Sequence, residues 1–485
     1  MQHPMTPLQS MIFRRYPSWC PRIFHQRVIP NNNNNNNEWI TTITTTRRAR
    51  SSSKKKDLNS LHIPVMKDEV LKLWLPDTTS NDATSDDNGS ENDSRRPIHL
   101  IDGTIGVAGH TLAAIRSTTQ QQNNDIKVLG IDRDPEALSK ARKRLVKELD
   151  EKPNADDDEY AEIEDVEEAA PSTSNAESSR ATLHLGSFAD ISPGLLSLYS
   201  FPLKVNGILM DCGMNSFQIE NKQRGFSFRQ HGPLDMRFDT TTRSHEVLAG
   251  QSHRKIRPNA DKARDIVNTR SAAELSALFA ERADEPYADE IASSIVEWRS
   301  NEQKRERKAP VGIRTTLELR YVVEECIAAV LAAEGVEPKE RFPPKKFYAM
   351  WRAPTKRLPK RTKDKLIKKY AERKPRHVNH VMRVFQALRM EVNDELLHIQ
   401  SFFDMGIAER CLEVGGRLVM IAFHPGEDEI IRKGMENMVK KKEEEEGENF
   451  KWVTPEVEGL RPTLEEVKMN GRSRSARLRA VERIR

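Results

Sequence analysis

The stretch IHLIDGTIGVAGHTLAAIRS, residues 98–117, decides the fold of this chain. It begins with a short apolar run that ends at Asp102, passes through a loop with three glycines, and takes helical spacing from His110. A strand that enters a helix through a glycine loop is the opening unit of a doubly wound α/β sheet. Glycines also let the backbone approach a ligand closely. We therefore predict a ligand-binding loop at residues 103–109.

Strand-like and helix-like segments alternate on both sides of that stretch. Before it, HIPVMKDEVLKLWL (62–75) has apolar residues three and four apart, as an amphipathic helix does. After it come four apolar runs typical of strands, and a helix is predicted at 135–148 behind the first. These runs are VLGIDRD (128–134), ATLHLGSF (181–188), VNGILMD (205–211) and GGRLVMIAFH (415–424). The alternation predicts an α/β fold with a doubly wound, mostly parallel sheet.

Composition divides the chain into regions with different expectations. Two stretches, 77–94 and 150–179, are acidic and polar and cannot bury enough apolar surface to fold, so we predict disordered inserts. Between about 240 and 378 the strand signal gives way to helical spacing, and a further long helical pattern (383–412) is predicted to break near Gly406. The predicted regions are a disordered N-terminal part at 1–60, the first part of the main domain at 61–239, a helical basic insertion at 240–378, and the return to the main domain with a basic C-terminal tail at 379–485.

The N-terminal region has the composition of a targeting segment. Residues 1–56 hold ten Lys/Arg and a single acid, Glu38, while the whole chain has a net charge of only +5. This region is rich in Arg, Ser and Thr and has no apolar core of the secretory type, which favours an organelle transit peptide. We predict the mitochondrial matrix, with the chloroplast as the alternative. No run of 18 apolar residues occurs, so no membrane span is predicted.

The four cysteines are scattered: Cys20, Cys212, Cys326 and Cys411. No CxxC pair occurs, so the sequence predicts neither a disulfide framework nor a metal site. Cys212 directly follows Asp211 at the end of a predicted strand, where alternation turns it to the opposite face. We interpret it as a small buried side chain and not as a nucleophile.

Two segments are dense in positive charge. Residues 338–376 contain sixteen Lys/Arg against three acids, with aromatic residues interleaved, and residues 461–485 contain eight against three. Such clusters neutralise phosphates, and aromatic rings stack on bases; the alternative is a solvated charged surface. We predict RNA contact by Lys345, Lys346, Arg352, Lys356, Arg357, Arg472 and Arg474.

The glycine loop and the next strand together indicate a nucleoside-bearing cofactor. The loop is neither a GxGxxG fingerprint nor a phosphate-binding P-loop. Asp132 ends the following strand, where an acid can accept hydrogen bonds from ribose hydroxyls. S-adenosylmethionine suits this pair, although the loop alone does not separate it from NAD.

Beyond residue 60 the chain resembles the bacterial small-subunit rRNA (cytosine-N4)-methyltransferase family and its organellar relatives. The shared motifs follow the family's order: HIPVMKDEV, DGTIGVAGHT, GIDRDPEAL, GSF, the block GILMDCGMNSFQIENKQRGFSFRQHGPLDMRFD (207–239), FQALRMEVNDEL, GGRLVMIAFHPGED and NGRSRSARLR. RGFSF followed by GPLDMR is the most specific part. The resemblance implies a class I S-adenosylmethionine-dependent methyltransferase fold with an inserted helical domain.

The resemblance also implies a reaction and a set of site residues. S-adenosylmethionine would methylate N4 of a cytidine near the decoding site, so the partner would be small-subunit rRNA or the assembling small subunit; a homodimer is also considered. Asp132 would hold the ribose, Phe188 would pack on adenine and Asp211 would lie near the sulfonium. The full set of matching cofactor positions is Ala108, Gly109, His110, Asp132, Phe188, Asp211 and Gln218.

The exocyclic amine of cytosine is a poor nucleophile because its lone pair is delocalised into the ring. Direct in-line methyl transfer therefore needs groups that position the amine and accept its hydrogen bonds as positive charge develops. The candidates are Asp211, Asn215, Asp235 and His424. Asp211 leads them, and the sequence does not divide its catalytic role from its cofactor role.

Several positions depart from the family's pattern, among them Ala108 in place of a glycine and Asn215 and Pro425 each in place of a serine. They motivate an alternative function, an RNA-binding ribosome-assembly factor that keeps the fold and has lost catalysis. Absence of S-adenosylmethionine binding would favour that alternative. A third reading, an NAD-dependent enzyme, is disfavoured because no hydride-transfer site accompanies the glycine loop.

Overall fold

A computed structural model describes residues 63–76, 97–121, 125–149, 180–239, 261–305, 312–335, 377–440 and 449–485. Its centre is a seven-stranded sheet in the order β3-β2-β1-β4-β5-β7-β6. The strands are β1 (Ile98–Asp102), β2 (Ile126–Asp132), β3 (Ala181–Leu185), β4 (Val205–Asp211), β5 (Leu412–Ala422), β6 (Phe450–Trp452) and β7 (Arg477–Arg483). The predicted transit region, both acidic inserts and the basic segment 338–376 lie outside the described residues.

The sheet is mostly parallel. Strands β1 to β5 pair in parallel, whereas β7 runs antiparallel to both β5 and β6. The chain winds outward from β1 in both directions, which leaves a topological switch point between β1 and β4. The near-continuous apolar runs of β1, β2 and β4 suit strands that are covered on both faces. The predicted doubly wound, mostly parallel sheet is confirmed.

The helices connect the strands and form a separate helical unit. They are α1 (Lys67–Trp74), α2 (Gly109–Gln121), α3 (Pro135–Leu149), α4 (Pro193–Leu198), α5 (Ser216–Glu220), α6 (Ala263–Thr269), α7 (Ala272–Ala283), α8 (Ala288–Arg305), α9 (Thr316–Ala333), α10 (Val378–Val392), α11 (Glu395–Asp404), α12 (Ile407–Cys411), α13 (Pro425–Lys440) and α14 (Leu464–Met469). Within the described part of the chain, no helix is both long and apolar enough to cross a membrane.

The helical unit has its own apolar core. Buried residues of α6 to α10, among them Phe279 and Leu317, pack into one cluster, which also takes in Phe226 and Met236 from the 207–239 block. That block therefore anchors the helical unit to the strands. Helix α10 belongs to this cluster too, so the helical unit extends beyond residue 378, where the sequence placed its end.

Part of the segment predicted as a basic C-terminal tail forms a strand of the sheet. Residues 477–483 form β7, and the buried Arg479 donates from Nε to Asp428 at 2.7 Å. The charge of Arg479 is thus neutralised inside the protein and is not displayed to a phosphate backbone.

Candidate active site

The glycine loop, residues 103–109, lies at the switch point between β1 and β4. The Gly103 amide donates to the Leu209 carbonyl at 2.8 Å. The Thr104 hydroxyl accepts a hydrogen bond of 2.6 Å from the Asp211 amide. The loop that follows β1 is therefore fixed to the end of β4.

Each of the strands β1, β2 and β4 ends in an aspartate: Asp102, Asp132 and Asp211. Because the strands are parallel, the three carboxyl groups lie along one edge of the sheet. Burial raises the pKa of Asp132 and that of Asp211 to about 7, and it raises the pKa of Asp102 as well. Acids with perturbed pKa values on a strand edge are typical of a functional site.

The Asp102 carboxylate holds the glycine loop in place through two hydrogen bonds. It is buried, and its carboxylate accepts hydrogen bonds from the Thr111 hydroxyl at 2.7 Å and from the Thr104 amide at 3.3 Å. These bonds join the end of β1 to the first turn of α2. From the sequence, Asp102 was predicted only to end a strand, and that position was the one indication of its role.

Asp132 supports the loop from the neighbouring strand. Its carboxylate accepts hydrogen bonds from the amides of Gly106 and Asp134, both at 2.9 Å. Each carboxylate oxygen has further lone-pair capacity, so hydroxyl groups of a ligand can still donate to it. The predicted ribose contact is compatible with this position.

Asp211 and His110 face each other across the loop. Oδ1 of Asp211 is buried and has no hydrogen-bond partner among the described residues. Oδ2 lies 3.9 Å from Nδ1 of His110, whose Nε2 is 2.9 Å from the Val65 carbonyl oxygen. A buried carboxylate oxygen without a partner costs free energy unless a ligand satisfies it. Oδ1 of Asp211 is thus available to a ligand.

Phe188 lies directly against the glycine loop. A side chain at Gly103 would bring its Cβ to 2.9 Å from the Phe188 Cβ, so only glycine fits there. Phe188 is 9% exposed, and its ring makes edge contacts with His398 and Phe402. The ring therefore forms a largely buried wall of the site.

Ala108 adopts the left-handed conformation, with φ +60°, immediately before Gly109 starts α2. This conformation is normally taken by glycine. The methyl group is fully buried and packs in a small apolar cluster that includes Leu112 and Ala141. The packing of its methyl group therefore accommodates alanine at position 108, where the family has glycine.

Asn215 and Gln218 hold the loop after β4. Each side chain accepts a hydrogen bond of 3.1 Å from the backbone amide of the other, which caps α5. Nε2 of the buried Gln218 donates to Asp134 at 2.7 Å. The oxygens of both side chains are therefore used inside the protein, where they fix the loop.

Arg224 is a buried link that was not predicted from the sequence. Its guanidinium contacts Asp134 and donates to the carbonyl oxygens of Arg237 (3.1 Å) and Phe238 (2.9 Å). It joins the turn after β2 to the end of the 207–239 block. In the sequence Arg224 is the arginine of the RGFSF motif. No apolar periodicity around it indicates that its side chain is buried.

His424 follows β5 and lies next to the loop after β4. The Cys212 amide donates to the Ile421 carbonyl at 2.9 Å, which pairs the two strand ends. Burial and the nearby Arg389 lower the pKa of His424 to about 4, so the ring is neutral. Nδ1 accepts a hydrogen bond from the Gly426 amide, which leaves the hydrogen on Nε2. In this tautomer Nε2 donates, whereas the predicted role required an acceptor.

Asp235 belongs to a separate ion-pair cluster. Burial alone would raise its pKa, but hydrogen bonds from Arg237 and the charges of Arg237 and Lys262 lower it. The Arg237 guanidinium contacts it at 2.7 Å and Lys262 Nζ at 3.3 Å. The structure thus joins Asp235 to these cations and not to the aspartates of the strand ends.

Cys212 is buried, and burial raises the pKa of its thiol well above the usual value. A thiol that stays protonated is a poor nucleophile. This agrees with the interpretation of Cys212 as a packing residue.

The residues predicted to contact RNA fall into two groups. Lys345, Lys346, Arg352, Lys356 and Arg357 lie outside the described residues. Arg472 and Arg474 are exposed, and Arg472 lies 3.7 Å from Glu220 at the end of α5. Both arginines are therefore on the surface, and Arg472 lies beside the end of α5.

The model of the MraW methylase family matches residues 59–350 and 353–484. The chain belongs to this family. Membership in the MraW methylase family confirms the predicted class I methyltransferase fold and favours methyl transfer over hydride transfer.

Three bacterial relatives of this chain carry the name ribosomal RNA small subunit methyltransferase H. The protein of Elusimicrobium minutum is 30% identical over 426 residues, which are 88% of this chain and 99% of that protein. The protein of Pseudarthrobacter chlorophenolicus is 27% identical and covers 89% of this chain and 97% of its own length. That of Carboxydothermus hydrogenoformans is 30% identical, with 79% and 91% covered.

Proposed function

We propose that this protein transfers a methyl group from S-adenosylmethionine to N4 of a cytidine in small-subunit rRNA. The observation that carries the proposal is the unpartnered, buried Oδ1 of Asp211 beside the glycine loop in a chain of the MraW methylase family. The names of the bacterial relatives support rRNA of the small subunit as the substrate class. The motif resemblance supports a position near the decoding site.

The described residues fit S-adenosylmethionine. The close contact between Gly103 and Phe188 holds the glycine loop against the ring that forms one wall of the site. Asp132 keeps acceptor capacity for hydroxyl groups, and the free Oδ1 of Asp211 can face a positive charge. When bound, S-adenosylmethionine supplies the electrophilic methyl group.

Within this site the residues of the chain position the amine. Asp211 accepts a hydrogen bond from the exocyclic amino group and stabilises the positive charge that develops on nitrogen. The Thr104 hydroxyl holds the Asp211 backbone, and the Asn215 cap holds the loop that follows. The acceptor is therefore pre-organised, which direct in-line transfer requires.

We further propose that the protein acts in the mitochondrial matrix, with the chloroplast as the alternative. The support is the composition of residues 1–56, with ten basic residues and one acid. Import of the labelled full chain into isolated mitochondria tests this location. A homodimer also stays a prediction, and light scattering of the purified protein tests it.

The function is tested by mass spectrometry of nucleosides from mitochondrial small-subunit rRNA, with and without this protein. We expect N4-methylcytidine to disappear without the protein, to return with the wild type and to stay absent with Asp211→Ala. Unchanged N4-methylcytidine would overturn the proposed reaction in this compartment. If the rRNA is bound but not methylated, the alternative of an assembly factor without catalysis is favoured.

A further inference from the structure

Helix α14 exposes one whole side that carries apolar residues. The exposed side chains are Leu464, Glu465, Lys468 and Met469. With 3.6 residues per turn this spacing places all four on one side of the helix, and the half-buried Glu466 and Val467 lie on the other. Leu464 is 81% exposed and Met469 is 74% exposed. A helix of a folded domain normally turns its apolar residues inward, so this side is a candidate for contact with a partner.

The chain before α1 connects this side of α14 to the glycine loop. Nδ2 of Asn470 donates to the Ile63 carbonyl at 3.2 Å, and Ile63 is itself 58% exposed. Two residues further on, the Val65 carbonyl oxygen lies 2.9 Å from Nε2 of His110 at the start of α2. Two residues span at most about 7 Å. Ile63 is therefore close both to the exposed side of α14 and to the loop that follows β1.

The turn after α14 connects the same side to the loop after β4. Oδ1 of Asn470 accepts a hydrogen bond of 3.4 Å from the Arg472 amide, so one side chain holds both Ile63 and this turn. The Arg472 guanidinium lies 3.7 Å from Glu220 at the end of α5. Helix α5 begins directly after Asn215 and is about 7 Å long. The exposed side of α14 thus lies beside both loops that form the site.

We define the α14 surface as Ile63, Arg461, Leu464, Lys468, Met469, Arg472 and Arg474. Four of these residues are exposed cations, and Glu465 is the exposed acid of residues 461–475. Burial and the charges of Asp68 and Glu69 raise the pKa of Glu466, so these two acids of α1 act on the inner side of α14. The α14 surface therefore has an excess of positive charge.

The helical unit has the opposite charge on its outer side. Residues 271–297 are all described, and they expose no Lys or Arg. They expose the acids Glu274, Glu281, Asp284, Asp289, Glu290 and Glu297. A phosphate backbone is attracted to the α14 surface and repelled by this side of α7 and α8.

The N4 amino group lies on the Watson–Crick edge of cytosine, so the target cytidine must be unpaired or flipped out when it reacts. Its neighbours then leave the site as a single strand, whose phosphates bind cations and whose bases pack on apolar side chains. We propose that the α14 surface binds the single-stranded RNA that flanks the target cytidine. Leu464 and Met469 contact bases, and Lys468, Arg472 and Arg474 contact phosphates. This rests on the proposed function.

The base contact is tested with the double variant Leu464→Ser and Met469→Ser, whose exposed side chains do not hold the fold together. Fluorescence anisotropy with a labelled transcript of the decoding region of small-subunit rRNA measures the affinity of the full chain. We expect the affinity to fall at least about fivefold, with S-adenosylmethionine affinity and the thermal midpoint unchanged.

The matched control is the double variant Leu203→Ser and Val414→Ser. These apolar residues are 53% and 64% exposed, and they lie just before β4 and at the start of β5, at the edge of the sheet opposite to the site. We expect the control to keep the wild-type affinity. An equal fall in both double variants, or no fall in Leu464→Ser and Met469→Ser, would overturn the base contact.

The phosphate contact is tested with Lys468→Gln, Arg472→Gln and Arg474→Gln in one chain. Loss of three contacts to single-stranded RNA should reduce the slope of log affinity against log salt concentration by about 2 in magnitude. Leu464→Ser with Met469→Ser should keep the wild-type slope, because it removes no charge. A slope that the three glutamines leave unchanged would overturn the phosphate contact.

The two proposals fail in different ways. If the wild type binds the transcript through the α14 surface and transfers no methyl group, the proposed function fails and the surface stands. If the transcript is methylated and neither variant weakens its binding, the α14 surface fails and the function stands. Weaker binding of Leu464→Ser with Met469→Ser to assembling small subunits alone would then assign the surface to a protein partner.

Discussion

The guanidinium of Arg224 contacts both carboxylate oxygens of Asp134, at 2.8 Å and 3.2 Å, and both side chains are buried. This ion pair joins the turn after β2 to the 207–239 block. It therefore links the strand edge that carries Asp132 to the segment that anchors the helical unit.

We predict that Arg224→Met lowers the free energy of unfolding by about 3–5 kcal/mol, because Asp134 is left as a buried charge without its partner. Urea unfolding of the full chain measures this. Arg432→Met is the matched control: Arg432 pairs with Glu429 and Glu436 on the surface of α13 and should cost at most about 1 kcal/mol. Equal losses in the two variants would contradict the buried-pair argument.

Ala108→Gly should change stability by less than about 1 kcal/mol. Glycine relieves about 1–2 kcal/mol of left-handed strain, but it loses a buried methyl group worth about 0.8 kcal/mol and gains freedom in the unfolded chain. Gly225→Ala is the contrasting variant, because its Cβ would lie 2.2 Å from the Pro233 carbonyl oxygen. Thermal unfolding should show a loss for Gly225→Ala alone; a large loss for Ala108→Gly would contradict this reasoning.

Cofactor affinity should rise with pH. The pKa of Asp132 and that of Asp211 are raised to about 7, so both carboxyl groups lose protons between about pH 6 and about pH 8. The ionised forms favour a cationic ligand, so S-adenosylmethionine should bind more tightly as the pH rises. Calorimetry with S-adenosylhomocysteine, whose sulfur is neutral, should show a smaller increase; equal slopes would mean that Asp211 does not face the sulfonium.

Asp211→Asn should lower the methylation rate about 10²–10³-fold, since it removes the charge of a pre-organised acceptor and keeps its shape. Single-turnover transfer to an rRNA transcript measures the effect. Asp404→Asn, an exposed aspartate at the end of α11, is the control for loss of one negative charge. A fall of less than about tenfold in Asp211→Asn would move the catalytic role to another residue.

Replacing Lys345, Lys346, Arg352, Lys356 and Arg357 with Glu should weaken RNA binding and flatten its dependence on salt. Each lost phosphate contact reduces the number of counterions released on binding. Filter binding at several salt concentrations measures both quantities. The control variant replaces Arg432 and Lys433 with Glu; both of these basic residues pair with Glu429 on α13. Binding that is unchanged by the five substitutions would exclude this segment as an RNA contact.

The parts of the fold that the sequence predicted are those with a strong local pattern. The predicted strand 205–211 agrees with β4 at both ends. A continuous apolar run that ends at an acid is typical of a buried strand in a parallel sheet. The predicted strand 181–188 ends at Leu185 instead, since Ser187 caps a short 3₁₀ turn that begins at Phe188. The side-chain cap of Ser187 therefore ends the strand earlier than the apolar pattern predicts.

The parts that were missed depend on partners distant in sequence. The helical pattern 383–412 breaks near Gly406 as predicted, but also at Asn393, whose side chain bonds the backbone of Met236 and Phe238. Strand β7 was hidden because Arg479, its buried cation, has its partner Asp428 on α13. No local pattern distinguishes such an arginine from one that faces solvent.

The same limit applies to the site. The strand ends identified Asp132 and Asp211 because a parallel sheet gathers its functional groups there. The sequence ranked Asp211 above Asp235 because Asp211 ends a strand. It could not show that Oδ1 of Asp211 lacks a partner among the described residues, or that two cations neutralise Asp235. The tautomers of His110 and His424 could not be predicted from the sequence either. Each is set by a hydrogen bond with a backbone group that comes close to the ring only in the folded chain.

The position of β7 has a consequence for synthesis. Strand β7 is inserted between β5 and β6, and it pairs with both. Both neighbours precede it in the sequence, so during synthesis the edges of β5 and β6 that face β7 have no partner until residues 477–483 have emerged. A change that prevents β7 from inserting would leave two strand edges open to aggregation.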